Sequence, residues 1–292
     1  MFSFKFLFVA FLIFCGLTAF SQSKDSVFMK WKLKPGEVIS YKTSMDEIDT
    51  ANHRDFNVSG MEKLITGETN DTSSQKLFKR LSKLVMNSSF ITHLKSSKDG
   101  LIRIEMIMNN NKPEVFKDTT RDGKNAKEMQ DMLSKMTSGV MLRATINQNG
   151  GIESFYTKNE QKNLVATFFE LPGRAVVLGD SWPVSVNFIS MDQNFTCDSS
   201  FRKNIVTVTA ISDVQNEHIV TLKYDIVEFV KGDFSSPFSN TSIKTTMKMT
   251  YQAVAQFSIE KGKWLGYDGI MSLSSTGLMD SQTTKKFALV EE

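Results

Sequence analysis

Cysteine, histidine and proline are all scarce in this chain of 292 residues, which holds two, three and five of them. Cys15 lies in an amino-terminal segment that reads as removable. That leaves Cys197 without a partner for an intramolecular disulfide, and the fold must stand on its apolar core. The three histidines, His53, His93 and His218, are far apart in sequence and fit neither H-x-H nor H-E-x-x-H. Without such ligand spacing, no metal and no cofactor is expected. Blocks of like charge are also missing. Losing residues 1–21 would take only Lys5 from 35 basic against 32 acidic side chains, so the remaining chain is close to neutral. A nucleic-acid surface needs a concentrated basic face, and none is legible here. After the amino terminus, no apolar run is long enough for a spanning helix, so no integral membrane span is expected in the mature chain.

The amino terminus itself has a clear order. Lys5 is its only charge, an apolar run follows from Phe6 to Phe14, and Ala19-Phe20-Ser21 provides a small-residue exit. This is the pattern of a secretory signal, with cleavage after Ser21 and a mature chain from Gln22. The implied location is the periplasm, the outer membrane or the exterior. Cys15 sits where a lipoprotein cysteine would be modified, but Phe14 precedes it where small residues are usual, so a free chain is expected. Asn57, Asn70, Asn87, Asn194 and Asn240 begin N-x-S/T triplets. They matter only in a eukaryotic secretory pathway.

Most of what remains alternates apolar and polar residues with period two, as a strand with one buried face requires. Ile102-Arg103-Ile104-Glu105-Met106 and Val220-Thr221-Leu222-Lys223-Tyr224 are examples. The pattern favours antiparallel sheet with one wet face over parallel sheet covered on both sides. Turn chemistry at Lys98-Asp99-Gly100, Asn149-Gly150-Gly151 and Glu260-Lys261-Gly262-Lys263 predicts hairpin connections. Two segments break the pattern. Over 125–136, Met129, Met132, Leu133 and Met136 share a helical face, and Asn125 with Glu128 resembles a capping box. Over 159–171, Leu164, Phe168 and Leu171 share a face, and Pro172-Gly173 ends it. The polar stretch 67–82 reads as a loop or short helix. The expected fold is therefore mainly β (α+β), with a curved antiparallel sheet or sheets and two short amphipathic helices.

A weak internal repeat runs through this pattern. Gly36-Glu37 ahead of Val38 matches Gly179-Asp180 ahead of Ser181, the hairpin Phe90–Met108 matches Val208–Ile226, and Ile146–Ile152 matches Ile259–Leu265. The three matches keep the same order. They predict two similar β units, 22–172 and 173–292, or two halves of one larger curved sheet.

Motifs for chemistry are weak. Ser181 lacks the glycine that would complete a nucleophile elbow. Ser73–Lys76 and Ser200–Lys203 fit S-x-x-K without its companion elements. Asp118–Asp122 with Gly123 resembles the opening of a calcium loop, but Thr120 and Met129 stand at ligand positions. Cys197, between Phe195 and Phe201, reads as a part-buried inert thiol. Gly150-Gly151 belongs to a hairpin and not to a strand-to-helix phosphate loop. No catalytic residue is assigned, and the ligand-binding residues are unknown.

Phe168, Phe169, Trp182, Phe188, Trp264 and Tyr267 read either as lining for an apolar cavity or as core. Lys34-Pro35-Gly36-Glu37, Leu171-Pro172 followed by Val177–Trp182, and Phe257–Gly262 with Gly269 resemble an uncharacterised family of secreted or lipoprotein β-rich Bacteroidota proteins. The resemblance implies an envelope location and carries over no catalytic residues. The expected function is an exported binding module for an apolar or lipid-like ligand. The alternative is an envelope structural or interaction protein whose partner is another envelope protein, and a hydrolase ranks third.

Overall fold

The computed structural model describes residues 26–48, 54–57, 59–60, 89–109, 139–157, 162–190, 193–235 and 241–292. The expected signal segment, His53, the 67–82 stretch, the calcium-like loop and the expected 125–136 helix lie outside these residues.

The described chain is mainly β. Its strands are β1 (Val27–Phe28), β2 (Val38–Glu47), β3 (Arg54–Asn57), β4 (Ser89–Ser96), β5 (Ile102–Asn109), β6 (Gly139–Ile146), β7 (Ile152–Thr157), β8 (Ala175–Val176), β9 (Ser181–Pro183), β10 (Phe195–Val214), β11 (Glu217–Ser235), β12 (Ser242–Ser258), β13 (Lys263–Thr276) and β14 (Asp280–Glu291). One described helix of eight residues, α1 (Lys162–Phe169), follows β7. It matches the second expected helix and stops where Pro172-Gly173 predicts.

β1 and β8 form a small ribbon, and the other strands form one sheet in the order β7-β6-β5-β4-β2-β14-β13-β12-β11-β10-β9, with β3 also on β14. All these pairings are antiparallel. The predicted hairpin turns join β4 to β5, β6 to β7 and β12 to β13. The two runs that the repeat aligns are both meanders, and β14 joins them by pairing with β13 on one side and β2 on the other. They form one continuous sheet.

Alternation now has a physical meaning. Along β11, Val220, Leu222, Tyr224, Ile226, Glu228 and Val230 are buried, and the residues between them face outward. The far half of β10 behaves differently. Residues 196–203 are exposed on both faces, since β9 pairs only with Ile205–Thr207. Cys197 is therefore exposed, which corrects the part-buried reading: its flanking Phe201 points to solvent as well, at 56% exposure. A bulge at Asp198 and the charges of Arg202 and Lys203 blunt this edge against pairing with another chain.

The curvature of the sheet follows from two hydrogen bonds. Trp31 N–H donates to Gln148 O in the β6–β7 turn at 2.8 Å, and Lys32 N–H donates to Gly262 O in the β12–β13 turn at 3.1 Å. In a flat sheet those turns would lie about 29 Å apart, taking six strand spacings of ~4.8 Å. Consecutive residues reach both, with Cα atoms only ~3.8 Å apart. The sheet must therefore curl into a trough, and residues 31–32 strap its mouth.

α1 lies inside the trough with Val165, Ala166, Thr167, Phe168 and Phe169 buried. The last carbonyls of a helix have no partner within it and need donors from elsewhere. Three aromatic side chains provide them. Tyr267 OH donates to Thr167 O at 3.2 Å, Trp264 Nε1 to Phe168 O at 2.7 Å and Trp31 Nε1 to Phe169 O at 2.9 Å. Tyr251 and Tyr267 share a hydroxyl contact of 2.7 Å. Burial holds both phenols well above their ordinary pKa, so each keeps the proton that this network uses.

Candidate functional site

The aromatic residues flagged in the sequence pack largely against one another. Phe168 meets Tyr267 at 5.2 Å and Trp264 meets Tyr267 at 5.6 Å between ring centroids, while Trp31 and Phe257 close on Trp264. Phe188 stacks on Tyr251 at 6.2 Å, and Trp182 is partly buried against the same core. These distances are those of tilted and edge-on ring packing. Inside the trough, the indole N–H and hydroxyl groups of these rings hold the end of α1.

A concave site lies instead on the outer face. It has a volume of about 690 Å³ and lies over β2, β4, β5, β6 and β7. The strand registers build it from two parallel rows. In the first, Ser40 faces His93, His93 faces Glu105, Glu105 faces Arg143 and Arg143 faces Tyr156. In the second, two residues along each strand, Val38 faces Lys95, Lys95 faces Arg103, Arg103 faces Thr145 and Thr145 faces Ser154. Side chains on one face of a strand recur every second residue, so the two rows stand side by side on the outside.

The charges in these rows are unevenly matched. Glu105 is the one carboxylate in the lining, and it is taken by Arg143, whose Nε lies 3.0 Å from its Oε1. Lys95 and Arg103 directly oppose each other, an arrangement that destabilises a sheet. Asp99, in the adjoining turn, is an opposite charge close enough to act on Arg103. At one end of the groove Tyr156 is 68% exposed and Phe155 51%. At the other, Val38 is 49% exposed.

His93 Nδ1 lies 2.9 Å from Ser40 Oγ. Ser40, His93 and Glu105 are the residue types of a nucleophilic triad, but that chemistry needs a carboxylate to orient the ring nitrogen opposite the one serving the serine. Here the carboxylate serves Arg143. The other chemical candidates are scattered. Ser181 is on a short strand with its Oγ 2.8 Å from Thr207 Oγ1, and Lys203 of the S-x-x-K pair binds Asp225 at 2.5 Å. Glu228 is 1% exposed, but it accepts from Ile189 N–H at 2.9 Å and so anchors the segment before β10. Among the described residues, no group of three His, Cys, Asp or Glu side chains could hold a metal ion, and no helix is long and apolar enough to cross a membrane.

His218 sits at the end of the β10–β11 hairpin between two acids, with Nε2 3.1 Å from Asp213 Oδ1 and Nδ1 2.7 Å from Glu260 Oε1. Lys261 Nζ pairs with Glu217 at 2.8 Å. The bond from His218 holds the Glu260 carboxyl below its ordinary pKa of 4.5, and the Lys261 bond does the same for Glu217. A depressed carboxylate pKa contributes stability that is present above 4.5 and lost as pH falls through the folded-state value. The protection factors of the amides at residues 217–218 and 259–262, each taken against the intrinsic exchange rate at that pH, should therefore fall on acidification from neutral to about pH 3. Glu260→Gln should flatten that response, and an unchanged acid response in this variant would refute the assignment.

Lys95, Arg103, Arg143 and Tyr156 carry the groove, and none of them stands out in the sequence. Each occupies an ordinary outward position of an alternating strand. Only the cross-strand register shows that they adjoin. No family model, curated protein or solved structure matches the chain.

Proposed function

We propose that this protein is an exported binding module that takes an anionic ligand in the groove over β2 and β4 to β7. The observation that carries this reading is the direct opposition of Lys95 and Arg103 in a concave site whose single carboxylate is already paired. A like-charge pair costs the sheet stability, and an anion between the two side chains would offset that cost. Export is supported by the order of charge, apolar run and small residues at the amino terminus. An apolar ligand is less well supported, because the inward rings are in contact with one another. The second reading is a protein-interaction role. It rests on β7, which among the described residues pairs only with β6 and exposes Phe155 and Tyr156 at its edge.

Stability and binding should separate at Arg103. Arg103→Glu replaces a repulsive cross-strand pair with an attractive one but also sets a carboxylate near Asp99, so stability should change by less than about 1 kcal/mol while binding of tripolyphosphate is abolished. Thermal melts and titration calorimetry measure the two effects. Undiminished tripolyphosphate binding by this variant, or binding of no anion by the natural protein, would refute the anion reading.

A further inference from the structure

We infer that the anionic ligand is an acidic polysaccharide lying across the strands, with a sugar ring on Tyr156 and a carboxylate or sulfate between Lys95 and Arg103. The inference rests on the anion reading above and follows from the shape and chemistry of the groove.

The second row offers two cations and then two hydroxyls, Lys95, Arg103, Thr145 and Ser154, on four consecutive strands. Three strand spacings make this row about 14 Å long. That length suits an extended ligand better than a single small anion. The groove lies across exposed side chains at both ends, with Val38 at one and Tyr156 at the other, so a chain can enter and leave without being cut to fit. Tyr156 adjoins Arg143 on the neighbouring strand. Its ring presents an open apolar face beside a cation, which suits the C–H face of a pyranose. Glu105, Thr145 and Ser154 can exchange hydrogen bonds with sugar hydroxyls.

An acidic peptide fits this place less well. The groove lies on the face of the sheet, where main-chain N–H and C=O groups of β4, β5 and β6 are already paired with strands on both sides. Strand addition needs free main-chain groups at an edge. Here the ligand is read by side chains alone.

The test titrates the full mature chain with oligogalacturonate, a neutral malto-oligosaccharide, tripolyphosphate, poly-glutamate and phosphatidylglycerol vesicles. Oligogalacturonate should bind, the neutral oligosaccharide should not, and Arg103→Glu should abolish binding. Tyr156→Ala should weaken oligogalacturonate by roughly three- to tenfold, the loss expected of one ring contact, and weaken tripolyphosphate, which has no pyranose face, by less. Tyr156 is largely exposed, so this variant keeps the fold, which circular dichroism checks. Binding of tripolyphosphate without oligogalacturonate would overturn the polysaccharide inference and leave the anion reading standing. So would preference for poly-glutamate or vesicles, or a Tyr156→Ala variant that binds oligogalacturonate as before. If none of the anions binds, both readings fall.

Discussion

Trp264→Ala should destabilise the protein by about 3–5 kcal/mol, among the largest effects of any single truncation in the core. The side chain is 1% exposed and touches Trp31, Phe257 and Tyr267 edge-on at 5.9, 5.0 and 5.6 Å. Removing it opens a cavity between α1 and the sheet, and it takes away the donor to Phe168 O. Trp264→Phe separates these two contributions. It keeps most of the ring volume and still leaves a helix-end carbonyl buried without a partner, at a cost of about 1–3 kcal/mol. Urea unfolding of both variants measures the difference. If Trp264→Phe equals the natural protein, the indole N–H does not hold the end of α1.

The role of the aromatic residues was hidden in the sequence. Their number and spacing were visible, but cavity lining and core look alike until the partners of Nε1 and OH are known. Three donors from distant parts of the chain, Trp31, Trp264 and Tyr267, meet at one helix end, and no local pattern encodes that meeting. The strands, their one-sided burial and the hairpin turns were legible, because alternation and turn chemistry act over a few residues. The end of α1 was legible for the same reason, at Pro172-Gly173. The joining of the two meanders through β14 depends on pairings between residues more than 200 apart in sequence, such as Leu289 with Thr43.

The groove was illegible for a related reason. Lys95 and Arg103 are eight residues apart on either side of a predicted turn, so a careful reading of that hairpin would place them close together. Arg143 and Tyr156 reach the same surface only because β6 lies beside β5, with 29 residues in between that say nothing of where the chain returns. Cys197 shows the opposite error. Its flanking phenylalanines suggest burial, but burial on a strand requires something on its face, and the far half of β10 has solvent on both.

The strap across the mouth of the trough can be tested at Gly262. This residue has φ of +62°, and a Cβ placed there would lie 2.4 Å from Lys32 Cβ and 2.5 Å from Lys32 N. Gly262→Ala therefore combines two penalties. The left-handed backbone costs an L-residue about 1–2 kcal/mol, and the clash must push Lys32 away, which breaks its bond to Gly262 O or strains the hairpin at about 1–3 kcal/mol more. Gly100→Ala is the internal control, because Gly100 has φ of +80° and no atom within 4 Å of the added carbon. It should show the backbone penalty alone. The expected ranking by urea unfolding is natural protein, then Gly100→Ala, then Gly262→Ala. Exchange of the Trp31 and Lys32 amides should rise only in the last. If the two variants are equally destabilised and the strap amides stay protected in both, residues 31–32 do not close the trough through this contact. The curl of the sheet would then have to be carried by α1 and its aromatic donors alone.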